Sequence, residues 1–372
     1  MRKSLYMTTA LAAAGLLAFG ASDANAKVNL KLGGFLVSYV GYAEQDASFE
    51  STAGATNRVG YDSFNIVNDT EVYFTGGTKL DNGVNVSVII QMEGDPSGGA
   101  GTIDESYVKL TGGFGDLRLG TTKHASFVLR HGAPGVGMIG LGNPDTNNWI
   151  VRPDASSVGA GQSTHIGGGD QQKIVYITPR MNGFRVGAGY TPSTAANNVM
   201  PAVGGTDGTD SQIYDISFSY ENKLGGMDLK ADINGWREQS TAAASIDAKR
   251  FGVSMGFGAV TLAGSYLDEG AVDSGQIGAT NPNLEAMDIG ISYRMSKSTS
   301  VSGSFMNVKK ENATATAGED SLTKMGLGLV HNLGSGVSFR GTLANVKWED
   351  ESTADADNND GWMAIAGVRV GF

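Results

Sequence analysis

A chain of 372 residues, 40% of them hydrophobic, can bury a core as one domain or two, and a net charge of −11 disfavours nucleic acid as a partner. Glycine is abundant, 55 residues against 8 prolines, yet without the Gly-X-Y period of collagen, which leaves strand bends and turns as its natural places. The absence of cysteine excludes disulfides, thiolate metal sites and lipid attachment through sulfur.

The chain begins with a targeting segment. Arg2 and Lys3 precede an apolar run from about Leu11 to Phe19, and Ala24-Asn25-Ala26 forms a small-residue cleavage motif. Residues 1–26 are expected to be a cleaved secretory signal peptide, exported through the Sec pathway, with Lys27 starting the mature chain. Removing Arg2, Lys3 and Asp23 shifts the net charge to −12. No later stretch reaches the ~20 apolar residues of a spanning helix.

From there to the end the pattern alternates with period two, the signature of half-buried strands. Thr70, Val72 and Phe74 oppose Asp69, Glu71 and Tyr73; Val84, Val86, Val88 and Ile90 oppose Asn85, Ser87 and Gln91, with Ile89 breaking the rule. Phe184, Val186, Ala188 and Tyr190 oppose Arg185, Gly187 and Gly189, and Met227, Leu229, Ala231 and Ile233 oppose Asp228, Lys230, Asp232 and Asn234. Around Asp104, Glu105 and Lys109 the parity is ambiguous, because Tyr107 and Val108 are adjacent. The last stretch, "GWMAIAGVRVGF", puts Ala364, Ala366, Val368, Val370 and Phe372 on one oily face.

Connections alternate in length. Short polar turns near residues 81, 114, 181, 222, 257, 295 and 332 alternate with long loops rich in Gly, Asn, Asp, Ser and Thr. Together they delimit about sixteen strands, as expected of an all-β transmembrane antiparallel barrel. The polar faces carry too many charges to pack against a second layer, so they face water, and the apolar faces must meet lipid. Closure then removes the unpaired edges. On that parity Lys31, Arg118, Arg185 and Arg340 point inward.

At this point specific motifs carry a resemblance. "IDESYVKLTGGFGDLRLGTT", a long loop, and then "DQQKIVYITPRMNGFRVGAGYTPS" resemble the Gram-negative general porins, as do the hairpin "NDTEVYFTGGTKLDNGVNV" and the closing "GVRVGF". The resemblance covers essentially the whole of residues 27–372. It implies a homotrimeric outer-membrane barrel with short periplasmic turns, long extracellular loops and an inward-folded third loop, at about residues 121–168. The implied function is passive diffusion of small hydrophilic solutes and ions, with lipopolysaccharide and outer-membrane lipid around the barrel. In the family, loop carboxylates face a basic ladder on the wall. The resulting constriction candidates are Asp145, Asp154, Arg152, Arg130 and Lys123 in the loop, with Asp170 at its exit, and Arg118, Arg185, Lys31 and Arg340 on the wall. The sequence departs from the family in carrying "APGVGMIGLGNPD" in place of the Pro-Glu-Phe-Gly-Gly turn. By the same resemblance the terminal Phe372 is the signal read by the barrel assembly machinery; an interfacial aromatic is the bland alternative.

Other motifs point to little chemistry. Gly135, Gly137 and Gly140 spell G-x-G-x-x-G, but neither the strand before it nor the helix within it that a dinucleotide site needs is predicted, so no cofactor is expected. His124, His131, His165 and His331 lack ligand spacing and read as solvated loop residues. Asp355, Asp357 and Asp360 are weak calcium candidates within an acidic loop tip that misses the EF-hand pattern. No catalytic group is legible, so an enzyme is not expected. The alternatives to an unspecific channel are a solute-selective one, or a structural or adhesive barrel with a closed lumen.

Overall fold

The computed structural model describes residues 28–50, 61–94, 102–135, 137, 142, 144–166, 169–194, 211–240, 245–271, 283–311 and 318–372. The expected signal peptide lies outside them. The sixteen strands are β1 (Asn29–Gln45), β2 (Phe64–Lys79), β3 (Asn85–Glu93), β4 (Ile103–Gly112), β5 (Gly115–Thr121), β6 (Gln172–Ile177), β7 (Phe184–Thr191) and β8 (Ser211–Leu224), then β9 (Met227–Ser240), β10 (Ile246–Phe257), β11 (Val260–Ala271), β12 (Leu284–Arg294), β13 (Thr299–Glu311), β14 (Glu319–Gly334), β15 (Val337–Glu349) and β16 (Asn359–Gly371). Each pairs antiparallel with its sequence neighbours, and β1 pairs with β16 to close the barrel.

Turn chemistry sets the tight end. Between β6 and β7, Asn182 (φ 52°) and Gly183 (φ 95°) form a two-residue turn whose flanking residues, Met181 and Phe184, exchange both backbone hydrogen bonds. Positive φ at both central positions matches the strands' twist and suits Asn-Gly. Gly225 and Gly226, both at positive φ, do the same between β8 and β9.

The outward faces are the apolar ones expected. Leu36, Ile66, Phe74, Phe218, Ile233, Ile289, Leu327 and Trp362 are all exposed. An apolar belt of that extent is foreign to a water-facing surface. In β4 the ambiguity resolves with Glu105, Tyr107 and Lys109 on the inner face and Val108 on the outer. A register shift between Gln91 and Met92 of β3 accommodates it.

The inward faces differ from expectation. They are not polar throughout: Tyr39 and Ala43 of β1, Leu267, Ala286, Met306, Val308, Leu322, Val346, Trp348, Met363 and Ile365 are buried inside the barrel. They form one apolar cluster with Trp149, Ile150, Val158 and Ile166 of the third loop. This part of the inner wall is apolar because a piece of the chain, rather than water, covers it.

Candidate functional site: the lumen and its infolded loop

After β5 the chain turns into the barrel and returns to the wall only at β6. A one-turn helix, Ala125–Val128, packs with Leu129 on Val175 and Ile177 of β6. Gly187 of β7 permits this approach, since a Cβ there would lie 2.8 Å from Ala125 Cβ. The loop then crosses β9 to β15, reaches β1 where Trp149 stacks near Tyr39 (centroids 6.0 Å apart), and doubles back past β14 and β10.

An irregular segment buried in this way must satisfy its backbone N–H and C=O groups somewhere. The wall supplies the partners. Four carboxylates, three buried and Asp288 half-buried, each accept a loop N–H: Asp215 from Ser126 (2.8 Å), Asp232 from His131, Asp288 from Ala133 (2.8 Å) and Asp320 from Ser157. Wall cations donate to loop carbonyls, among them Lys310 of β13 to Ser157 (3.3 Å). Arg250 reaches Thr164 (2.7 Å) and His131, Lys324 reaches Ala160 (3.0 Å), and Lys173 reaches Gly169 (2.8 Å), Gln171 (2.6 Å) and Thr122. Arg250 and Asp232 also form a fully buried ion pair. Hydrogen bonds to charged groups contribute roughly 1.5–3 kcal/mol each, so the loop is latched to the wall.

The loop histidines belong to this latch, and the expectation that they are solvated is corrected for two of them. His124 is buried, its Nδ1 3.2 Å from Asp215 and its Nε2 3.3 Å from the Thr191 hydroxyl. The order Thr-His-Asp resembles a nucleophile relay, but all three groups are sealed from solvent, so no substrate can reach Thr191. Burial holds the pKa of His124 below its ordinary value, against the pull of Asp215. His131 is mostly buried and is held down in the same way, with Asp232 and Glu221 opposing. His165 keeps an exposed ring facing the lumen; enclosure by the barrel, then the positive charges of Arg130 and Arg250, lower its pKa too. His331 lies on β14, bonded to the Thr299 hydroxyl (2.8 Å).

Among the described residues, the loop's hydrogen bonds to the wall fall on β1, β6 to β14 and β16, the rim at Asn65, and Glu105 at its root. The sector from β2 to β5 thereby carries the fewest of these anchors among the described residues. There Asp69, Glu71 and Glu93 bring carboxylate oxygens within 4.8 Å of one another. Two of the sector's basic residues, Lys109 (3.2 Å) and Arg118 (3.1 Å), share Asp116, and Lys79 is exposed at the short-turn end of β2.

The geometry is that of a water-filled barrel narrowed by its own loop. The sequence pattern of the Gram-negative porin family matches residues 8–351. This chain is a Gram-negative porin. Among solved structures, the porin resembles the anion-selective porin from Comamonas acidovorans (18% identity, 93% of this chain and 100% of that one, TM-score 0.62). It also resembles the outer membrane channel DcaP of Acinetobacter baumannii (13% identity, 95% and 100% covered, TM-score 0.62). A third is a loop-deletion mutant of OmpT, an outer membrane protein of Vibrio cholerae (13% identity, 93% and 99% covered, TM-score 0.59). No curated protein matches the chain. The porin is an outer-membrane channel for passive diffusion of solutes, a closed sixteen-stranded barrel narrowed by its third loop.

Within the porin the expected constriction residues scatter. Arg118 and Arg185 point inward, paired with Asp116 and Glu221. Lys31 and Arg340 also face inward but sit toward the short-turn end. Two loop arginines are spent on the loop itself: Arg152 bonds the carbonyls of Ser156 and Val158, and Arg130 stacks on the Phe127 ring and bonds its carbonyl. Lys123 pairs with Asp170, whose carboxyl burial pushes up in pKa. Asp154 is exposed near the long-loop rim, and the side chain of Asp145 lies outside the described residues, as do Gly140 and its neighbours. Asp355, Asp357 and Asp360 do not converge; Asp360 bonds Asn345 (2.7 Å) and the Asp46 carboxylate accepts its N–H. Phe372 lies on the outer face, its backbone paired with Gly34.

Sequence reasoning missed the latch. A signal was present: Arg250, Asp288 and Lys324 are single charges on the inward parity, flanked by Ala248 and Gly252, Ala286 and Gly290, Leu322 and Gly326. An isolated charge between small or apolar inward neighbours faces protein rather than an open lumen.

Proposed function

We propose that small hydrophilic solutes and ions pass through the sector between the docked loop and β2–β5, with a weak preference for cations. The convergence of Asp69, Glu71 and Glu93 on that sector, where Lys109 and Arg118 share one carboxylate, carries this reading. Fixed negative charge concentrates counter-ions, and the preference fades as the Debye length falls from ~10 Å at 0.1 M to ~3 Å at 1 M salt. Reversal potentials under a potassium chloride gradient test it. Cation preference at low salt that vanishes at high salt is expected, and clear anion preference at low salt, as the name of the Comamonas porin states for that protein, refutes it.

The same reading includes removal of residues 1–26 on export, assembly as a homotrimer among outer-membrane lipid and lipopolysaccharide, and recognition of Phe372 by the assembly machinery. The exposed apolar belt, the outward Phe372 and the trimer form in which OmpT of Vibrio cholerae has been solved support it.

A further inference from the structure

At the short-turn end of the lumen, periplasmic in this family, a cavity of about 370 Å³ is lined by Arg340 and Arg369 together with Asn332, Ser338, Gly34, Gly336 and the C-terminal Phe372. Register places the two arginines as diagonal neighbours on the inner face: Arg340 lies opposite Gly367, and Arg369 opposite Ser338. Diagonal side chains of this length reach one another, and like charges so placed repel.

Of the other strand arginines on the inward parity, Arg118 pairs with Asp116, Arg185 with Glu221 and Arg250 with Asp232, while Arg294 at the end of β12 donates to the Gly258 carbonyl (3.2 Å). Among the described residues neither Arg340 nor Arg369 forms an ion pair. Instead Arg340 Nε donates to the Ser338 hydroxyl (3.2 Å), and the Arg369 guanidinium lies 4.3 Å above the Phe35 ring. Both contacts fix a guanidinium while leaving donors on its far edge unspent.

We infer that this cavity is a binding site for a small oxyanion, a phosphate or carboxylate group held between the forks of Arg340 and Arg369. The planar guanidinium presents paired donors matched to oxyanion geometry, and a bound anion offsets the repulsion between the two arginines. Across β1 the site borders the acidic sector, since Arg369 pairs with Val37 and Val37 with Asp69, so the arginines close the short-turn side of that sector. It rests on the channel reading only for its access from the lumen.

The test uses the purified full-length barrel in planar bilayers carrying potassium chloride current, with inorganic phosphate titrated in. Acetate serves as the carboxylate arm. In the wild type, phosphate is expected to reduce or flicker the current with a definable half-blocking concentration. In Arg340→Gln/Arg369→Gln that concentration rises tenfold or more, and in Arg340→Lys, which keeps the charge and loses the fork, it rises about threefold. Chloride current in each variant shows that the barrel has inserted. An equal half-blocking concentration in the double variant, or a conducting wild type that phosphate does not affect, overturns the site. A wild type that carries no chloride current overturns the channel reading instead.

Discussion

Replacing Asp232 with alanine should open the loop without unfolding the barrel. Its carboxylate accepts the His131 N–H, the Asn234 amide (2.5 Å) and the Arg250 guanidinium, and both members of the ion pair have fully buried side chains. Removing one partner of a buried pair costs about 3–5 kcal/mol because the survivor is left uncompensated. At 1.4 kcal/mol per tenfold, that is roughly a 100- to 4,000-fold shift toward release of the segment around His131. The sixteen-strand ladder does not depend on this contact, so the cost falls on loop docking. Single-channel conductance should rise and become noisier, and trypsin should cut at Arg130, which sits one residue before the lost anchor. Replacing the pair together, Asp232→Ala with Arg250→Met, removes the stranded charge but also the Arg250 bonds to Thr164 and His131, so the barrel should regain stability while the loop stays released. Wild-type conductance and wild-type protease resistance in an inserted Asp232→Ala barrel would refute the latch.

Acid should loosen the same loop. His124, His131 and His165 are held below their ordinary pKa, chiefly by enclosure, so the released loop binds more protons than the docked one. Docking is therefore complete above about pH 6.5, the unperturbed value, and weakens as the pH falls below it; Asp170, raised by burial, opposes the trend. Trypsin sensitivity at Arg130 compared at pH 5.5 and 7.5 checks the sign. Gly187→Val should lift the helix Ala125–Val128 through its clash with Ala125 and Leu129, an overpacking cost of about 1–3 kcal/mol, read as higher conductance at normal barrel yield. Phe372→Ala should reduce the amount of barrel in the outer membrane while molecules that insert conduct normally; normal yield would return Phe372 to an interfacial aromatic.

The barrel was legible in the sequence because strand parity and turn chemistry are local. Ile289 and Ile291 alternate with Asp288 and Gly290 whatever lies across the lumen, and Asn182-Gly183 sets a hairpin from two residues. The third loop was legible as a stretch without strand pattern, and its course was not. Which wall it covers depends on contacts spanning more than a hundred residues, such as Ser157 with Asp320 or Ala133 with Asp288. No period in the sequence encodes those distances. For that reason Arg118, Arg185 and Arg250 look alike as inward arginines, while the tertiary structure makes Arg250 a buried anchor for the loop. Met363 and Ile365, which alternation alone assigns to a watery lumen, are buried in the core it shares with Trp149 and Ile150. Parity decides which way a side chain points; only closure of the barrel and infolding of the loop decide whether it meets water, a carboxylate or another part of the chain.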